Sequence, residues 1–263
     1  MSDASAGDVV LFEMVADHVA LVTLNRPEKR NAINGEVAAA LEAIVKKTEA
    51  DPVIRCVILT SSLDKVFCAG ADLAAVSGGT GLAMETEDGG FAGFVYANRL
   101  KPWIAAVEGL AVAGGCEICL ACDMIVASHN AGFGLPEVKR GLLAGAGGLH
   151  RLPNRMPVAI ANEMIATGDP IAAERAAQHG LVNCLVEPGK TVEAAMALAS
   201  RIVCNAPLSV QYSLAAAREG AVLPEAQGRA IAAQRMQLLR ETEDFKEGPL
   251  AFVEKREPVW KGR

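Results

Sequence analysis

The chain has 263 residues, of which 51% are hydrophobic and 21% charged, and its formal net charge is −6. This composition is typical of a globular protein with a large core. The apolar residues are spread along the chain, without the run of about eighteen that a membrane helix needs. Because an acidic surface repels a phosphate backbone, composition argues against nucleic acid as the main partner, and we expect no membrane association.

The N-terminal residues 1–8 are small and acidic. They lack the basic flank and the apolar run of a secretory signal peptide. We therefore expect a cytoplasmic protein.

The first half of the chain alternates strand and helix patterns. Residues 9–15 and 19–24 read as a β-hairpin, and residues 34–50 as a helix that Asn34 can cap. Buried strands are expected at 54–60, 103–107 and 124–127, which are largely apolar and rich in β-branched residues or alanine. Strands and helices in succession predict an α/β core with right-handed crossovers.

The second half is mainly helical. Residues 73–93 contain six glycines and read as a mobile loop or lid, or as a plain surface loop. From residue 157 onward, the pattern predicts a strand at 181–186 and helices at 158–167, 172–179, 192–204, 207–219 and 224–240, with one or two turns at 249–255. We predict a core domain over 1–200 and a C-terminal helical region over 201–263. The apolar stripes of helices outside a core must be buried, and a neighbouring subunit is one way to do so.

Seven cysteines occur in the chain, and three form the motif Cys116-x-x-Cys119-x-x-Cys122. This spacing is compatible with a metal or iron–sulfur site. The surroundings are apolar apart from Glu117, and no fourth cysteine lies at usable spacing. Reduced cysteine is also a common small core residue, so we expect packing and no metal.

Two glycine-centred segments follow buried strands, at 67–72 and 109–117. A glycine pair at a helix start leaves backbone N–H groups unpaired. Two such groups from separate loops can converge on one carbonyl oxygen and stabilise negative charge there. Glycine-rich turns between strands and helices are common, so this pattern alone is a weak signal.

Two glutamates lie in apolar surroundings close to these glycines. Glu117 follows the second glycine pair, and Glu137 ends Phe133-Gly-Leu-Pro-Glu137. Burial raises the pKa of a carboxyl group towards the range that is useful for proton transfer at neutral pH. Each glutamate taken singly is equally well explained by a buried salt bridge or a helix cap.

Several motifs, in order, make the sequence resemble the crotonase (enoyl-CoA hydratase/isomerase) superfamily over nearly its whole length. The matching stretches are 24–32, 67–73, 101–109, 113–117, 133–137, 145–148 and 252–256. The C-terminal residues 247–263 and the stretch 135–141 also resemble the carnitinyl-CoA dehydratase branch.

The resemblance implies a fold, an assembly and a substrate. The fold is α/β, a spiral of ββα turns followed by a helical trimerisation region, and the assembly is a homotrimer or a dimer of trimers. The substrate is an acyl-CoA thioester whose CoA lies along residues 69–72, that is Ala69, Gly70, Ala71 and Asp72. Lys29 or Arg30 meets its phosphates, and Phe252 and Lys255 reach CoA in a neighbouring subunit. The presence of Lys29 and Arg30 is explained nearly as well if both are solvated surface residues without a binding role.

The resemblance also assigns catalytic roles. The N–H groups of Ala71 and Gly114 correspond to the family's oxyanion hole, and Glu117 and Glu137 to its two catalytic glutamates. Having both glutamates favours an enoyl-CoA hydratase, a hydro-lyase that adds water reversibly to a 2-enoyl-CoA. No cofactor is expected beyond the CoA of the substrate, because the thioester itself acidifies C2.

Departures from the family pattern leave alternatives open. Ala144 and the pair Leu149-His150 replace the usual residues of the glycine-rich stretch, and His150 either enters the acyl pocket or packs at the surface. Rival functions are a carnitinyl-CoA-type dehydratase, a double-bond isomerase, an acyl-CoA hydrolase or a decarboxylase, because fold does not fix reaction. A non-catalytic CoA-binding or RNA-binding relative is a rival of another class. The acyl chain and the physiological direction are not determined by the sequence.

Overall fold

The computed structural model describes residues 8–79 and 81–263. Residues 1–7, whose composition underlies the expectation of a cytoplasmic protein, lie outside the described residues. The strands are β1 (Val10–Ala16), β2 (Val19–Leu24), β3 (Cys56–Ser61), β4 (Val66–Cys68), β5 (Glu85–Thr86), β6 (Gly90–Phe91), β7 (Trp103–Val107), β8 (Leu110–Val112), β9 (Met124–Ser128), β10 (Gly132–Gly134), β11 (Ile171–Ala172) and β12 (Cys184–Val186). The α-helices are α1 (Gly35–Ala50), α2 (Leu73–Ser77), α3 (Gly114–Ala121), α4 (Gly148–Arg155), α5 (Val158–Thr167), α6 (Ala173–Gln178), α7 (Thr191–Val203), α8 (Pro207–Gly220), α9 (Glu225–Arg240) and α10 (Glu243–Glu254). Short 3₁₀ helices cover Pro27–Lys29, Gly81–Met84 and Pro136–Arg140.

Two sheets face each other. The larger has the strand order β1-β2-β3-β7-β9-β12, in which only β1 and β2 pair antiparallel. The smaller has the order β11-β10-β8-β4, and its β4, β8 and β10 are parallel. The pairs β3–β4, β7–β8 and β9–β10 each give one strand to each sheet, and a helix or 3₁₀ helix follows. This repeated turn is the α/β spiral of ββα units that the sequence predicted.

The larger sheet is buried on both faces, which explains its continuous apolar runs. One face packs into the main core with the smaller sheet, where Phe67, Trp103 and Phe133 are fully buried. The other face is covered by α7, whose Ala195 and Ala199 are fully buried against the sheet. Helix α7 runs across the predicted boundary at residue 200. The division of the chain into a core domain and a C-terminal helical region stays a prediction.

The structure adds elements that the patterns did not predict. Strands β4, β8 and β10 have three residues each, too few for a period to be read. Helix α10 begins before Pro249, because the side chain of Thr242 accepts a hydrogen bond from the Phe245 N–H (3.2 Å) and starts the helix there.

No α-helix among the described residues is both long and apolar enough to cross a membrane.

The glycine-rich segment 73–93 is more structured than a plain loop. It contains α2, the 3₁₀ helix Gly81–Met84 and the β5–β6 hairpin, although Thr80 lies outside the described residues. Met84 and Phe91 are buried in the main core. Its mobility stays a prediction, but its second half is anchored by these side chains.

The cap of α1 is directly testable. The side chain of Asn34 accepts a hydrogen bond from the Val37 N–H at 3.0 Å. Asn34→Ala removes this acceptor, and we expect the free energy of unfolding to fall by about 1 kcal/mol. Urea denaturation at fixed subunit concentration measures the change. Asn34→Asp keeps a capping oxygen and is the control; equal losses in both variants would contradict the assignment.

Candidate active site

A cavity of about 450 Å³ opens where the two sheets and the start of α3 meet. Its wall includes Arg30, the turn after β4, the end of β8 with the start of α3, residues between 136 and 146, and the segment with Met84 and Phe91. Its lining residues include Arg30, Ala69, Ala71, Gly114, Glu117, Glu137 and Arg140. The predicted glycine segments and both predicted glutamates therefore meet at one cavity.

The turn after β4 leaves the Ala71 N–H unpaired. Gly70 has φ +86°, a conformation that favours glycine, and its carbonyl accepts a hydrogen bond from the Ile33 N–H at 2.8 Å. The Asp72 N–H in turn donates to the Ile33 carbonyl at 2.8 Å. In this parallel bridge the intervening Ala71 N–H points away from Ile33, and it has no partner within the described chain.

An ion pair holds the same turn on its outer side. Arg26 donates to the Asp72 carboxylate at 2.7 Å and to the Ala32 carbonyl at 3.0 Å. The hydrogen bond from Arg26 lowers the pKa of Asp72, which therefore stays ionised. The pair fixes where the turn leaves the smaller sheet.

The start of α3 provides a second unpaired N–H. Ala113 precedes the helix with φ 52° and ψ −131°, a strained conformation that costs about 1–3 kcal/mol, and its N–H donates to the Gly134 carbonyl at 3.0 Å. The N–H of Gly114, the first helical residue, has no partner among the described residues.

The two turns touch each other. A Cβ atom on Gly70 would lie 2.9 Å from the Gly114 nitrogen, and one on Gly115 would lie 2.2 Å from the Cys68 carbonyl oxygen. Both positions therefore need glycine for the backbones to approach this closely. The approach brings the two segments with unpaired N–H groups side by side at the cavity wall.

Glu117 is buried, with 3% of its surface exposed. It lies three residues after Gly114, on the same face of α3. One carboxylate oxygen, Oε1, accepts a hydrogen bond from the Gly148 N–H at 2.9 Å. Burial raises the pKa of Glu117 to about 7, and the negative charge of Glu137 adds to the rise. The raised pKa lies in the range that is useful for proton transfer at neutral pH.

Glu137 lies in the 3₁₀ helix Pro136–Arg140 on the opposite part of the wall. Its Oε2 atom is buried and has no hydrogen-bond partner in the described part of the chain. Burial raises the pKa of this carboxyl group as well. An unsatisfied buried carboxylate oxygen is costly, so it indicates a group held ready for a ligand or water.

The other predicted site residues are placed differently. Ala69 lines the cavity, whereas Gly70 and Asp72 support the turn from behind. Lys29 is exposed and lies outside the wall, and the neighbouring Arg30 lines it instead. Phe252 is 85% exposed and, like Lys255, does not line this cavity. Their predicted contact with CoA in a neighbouring subunit stays a prediction.

The remaining sequence candidates lie elsewhere. Cys116, Cys119 and Cys122 are fully buried in the main core, as expected for packing residues, and burial raises the pKa of each thiol. His150 is exposed and does not line the cavity.

The sequence analysis did not predict several residues of the wall, among them Met84, Phe91, Arg140, Leu142 and Leu143. Met84 and Phe91 lie in the segment 73–93, which was interpreted as a loop. Arg140 lies in the stretch 135–141, which resembles the carnitinyl-CoA dehydratase branch, whereas for the two leucines the nearness of Glu137 in the sequence was the only available signal.

Comparison with known proteins gives a consistent result. The family model for enoyl-CoA hydratase/isomerase matches residues 15–263. The (E)-benzylidenesuccinyl-CoA hydratase of Thauera aromatica is 43% identical, over 94% of this chain and 97% of the relative. The carnitinyl-CoA dehydratase of Salmonella typhimurium is 40% identical, over 92% of this chain and 94% of the relative.

Solved structures agree with this result. The enoyl-CoA hydratase of Mycobacterium tuberculosis superposes with a TM-score of 0.92 at 42% identity, covering 97% of this chain and all of the other. The carnitinyl-CoA hydratase of Mycobacterium avium has a TM-score of 0.77 at 45% identity, covering 97% of this chain and 99% of the other.

The raised pKa of Glu117 predicts a dependence of stability on pH. The folded state holds the proton with a pKa of about 7, against an ordinary value of 4.5. Protonation therefore stabilises the fold fully below pH 4.5, and this contribution is lost as the pH rises through 7, a total on the order of 3 kcal/mol.

Glu117→Gln removes this titration and keeps an oxygen for the Gly148 N–H. We expect the stability of the wild type to fall relative to the variant between pH 5 and pH 8. Urea denaturation of both proteins at fixed subunit concentration measures the difference. A difference that does not change with pH would contradict the raised pKa.

Proposed function

Because the chain belongs to the enoyl-CoA hydratase/isomerase family, we propose that it is a hydro-lyase that adds water reversibly to a 2-enoyl-CoA thioester. One observation supports this most directly: the buried carboxyl group of Glu117 and the half-buried one of Glu137, both with raised pKa values, line the same cavity as two unpaired backbone N–H groups. Hydration of an activated double bond needs these two functions together, stabilisation of an enolate oxygen and transfer of protons.

The N–H groups of Ala71 and Gly114 hold the thioester oxygen in the proposed mechanism. Negative charge develops on that oxygen when water adds to C3. Each donor of such an oxyanion hole is worth about 3–4 kcal/mol of transition-state stabilisation. The groups are suited to this task because rigid backbone, not a mobile side chain, sets their position.

Glu117 acts as the base and Glu137 supplies or shares the proton in this proposal. The Glu117 carboxylate takes a proton from water as the water oxygen bonds to C3, and C2 receives a proton from the Glu137 carboxyl group. Dehydration follows the same steps in reverse. The hydrogen bond from the Gly148 N–H to Oε1 orients the Glu117 carboxyl group, and the backbone of Ala146 also acts on it. A pKa near 7 suits a group that must both accept and return a proton.

The substrate and the assembly are also part of the proposal. Arg30 and Arg140 are the cationic residues in the described cavity wall, and Arg30 is the one that we assign to the CoA phosphates. The reaction uses no metal or redox cofactor, because the thioester supplies the activation. We further propose a homotrimer or a dimer of trimers. It would cover apolar side chains that α9 and α10 leave exposed, including Met236, Leu238, Leu250 and Phe252.

A carnitinyl-CoA-type dehydratase is the second candidate. It is favoured by the Salmonella typhimurium relative, whose 40% identity spans most of both chains. The two candidates share the mechanism and differ in the acyl group. Initial rates with crotonyl-CoA and with carnitinyl-CoA separate them, and product analysis with a 3-enoyl-CoA tests for isomerase activity.

The two glutamates are tested by conservative substitution. Glu117→Gln and Glu137→Gln each remove a proton-transfer group while keeping size, so we expect kcat on crotonyl-CoA to fall by a factor of about 10² or more. Loss of the enoyl-thioester absorbance measures the rate. Glu36→Gln, on the exposed side of α1, is the matched control and should keep wild-type activity. Full activity in either active-site variant would refute its assigned role.

A further inference from the structure

A second cavity, of about 600 Å³, lies beside the first and is lined by arginines. Four guanidinium groups line it, from Arg99, Arg151, Arg155 and Arg218. The carboxylates in its wall are Asp123 and Glu219. Such a concentration of cations is unexpected in a protein whose net charge is −6.

The carboxylates in the wall are already engaged. Asp123 accepts two hydrogen bonds from Arg218, at 2.7 and 2.8 Å. Glu219 accepts one from Arg235 at 2.6 Å. Neither forms an ion pair with the other three arginines of the wall.

Within the described chain, Arg99, Arg151 and Arg155 have no carboxylate in ion-pair contact. Their guanidinium groups donate hydrogen bonds to the carbonyl oxygens of Ala121, Val95, Ala146 and Cys122. Carboxylates act on these three side chains only at longer range: Asp123 on Arg99 and Arg155, Glu117 on Arg151, and Glu49 on Arg99. The Glu49 Oε2 atom accepts a hydrogen bond from the Leu100 N–H at 2.9 Å.

The three side chains are also substantially buried. Arg99 stacks on the Phe94 ring at 3.9 Å, and its Nε and Nη1 atoms are buried without a hydrogen-bond partner in the described residues. Burial lowers the pKa of Arg99 to about 10, and it lowers the pKa of Arg151 and Arg155 too. Desolvated cations of this kind are costly unless an anion compensates them.

We propose that this cavity is a binding site for a small phosphate-bearing dianion, separate from the acyl-CoA cavity. A phosphate group offers two negative charges and several acceptor oxygens, which suits three guanidinium groups better than a single carboxylate does. Arg151 lies between the two cavities: its Nη1 donates to the carbonyl of Ala146, which lines the first. His150, which is absent from the wall of the acyl-CoA cavity, lines this one.

Inorganic phosphate is the probe. Isothermal titration of the wild-type oligomer, at constant ionic strength, should show saturable binding, and phosphate should raise Tm more than chloride does. Titration with malonate, a dicarboxylate, is the second measurement, and it distinguishes a phosphate site from a general dicarboxylate site. Malonate binding as tight as that of phosphate would overturn the assignment to phosphate.

Two variants locate the site. Arg155→Gln removes one guanidinium and should weaken phosphate binding by roughly tenfold or more. Asn154→Asp places a carboxylate on the exposed rim, keeps every arginine, and should also weaken binding. The matched controls are Arg175→Gln and Asn162→Asp, which lie outside the cavity wall and should bind phosphate as the wild type does.

The proposal fails if phosphate does not bind, or if all four variants bind it equally. It also fails if phosphate has no effect and Arg155→Gln dissociates the oligomer in sedimentation velocity. That result would show that a neighbouring subunit fills the cavity with its own carboxylate.

Discussion

The close approach of two backbone segments determines the geometry of the acyl-CoA cavity. The turn after β4 and the start of α3 touch at Gly70, Gly114 and Gly115, where a Cβ atom would collide with carbonyl oxygen, nitrogen or the Phe91 ring. Only the absence of side chains allows this contact. The spiral brings it about, because β4 and β8 are parallel neighbours in the smaller sheet and both turns leave from the same edge. The strained backbone of Ala113 is tolerated because the surrounding hydrogen bonds hold it.

The two glutamates show a second constraint, which is that an active carboxyl group must be buried without being neutralised. Glu117 is buried, and its hydrogen bond from Gly148 orients the carboxylate without an ion pair. A salt bridge at the same depth would lower the pKa and fix the ionised form. Asp72 illustrates that outcome a short distance away, since its pair with Arg26 keeps it ionised. Similar side chains thus serve different purposes because their neighbours differ.

The arginine-lined cavity brings positive charge close to the wall of the acyl-CoA cavity. Arg151 contributes to both regions, since its positive charge acts on Glu117 across the segment 145–148. The electrostatic environment of the acyl-CoA cavity is therefore not set by its lining residues alone. Carbonyl hydrogen bonds hold Arg99 and Arg155 in this protein of net negative charge, and Arg99 also stacks on the Phe94 ring. Arg218 differs, because it pairs with the Asp123 carboxylate.

The sequence by itself determined the main helices, the long strands of the larger sheet, the cap at Asn34 and the two glutamates of the cavity. Period, β-branched runs and capping chemistry are local properties, so they can be read along the chain. Motif order also identified the family. Only the tertiary structure decided which N–H groups stay unpaired, that Arg30 and not Lys29 lines the cavity, and that Met84 and Phe91 close it. It alone brought together Arg99, Arg151, Arg155 and Arg218, whose positions span 119 residues of sequence, because contacts between distant segments depend on the packing of the whole spiral.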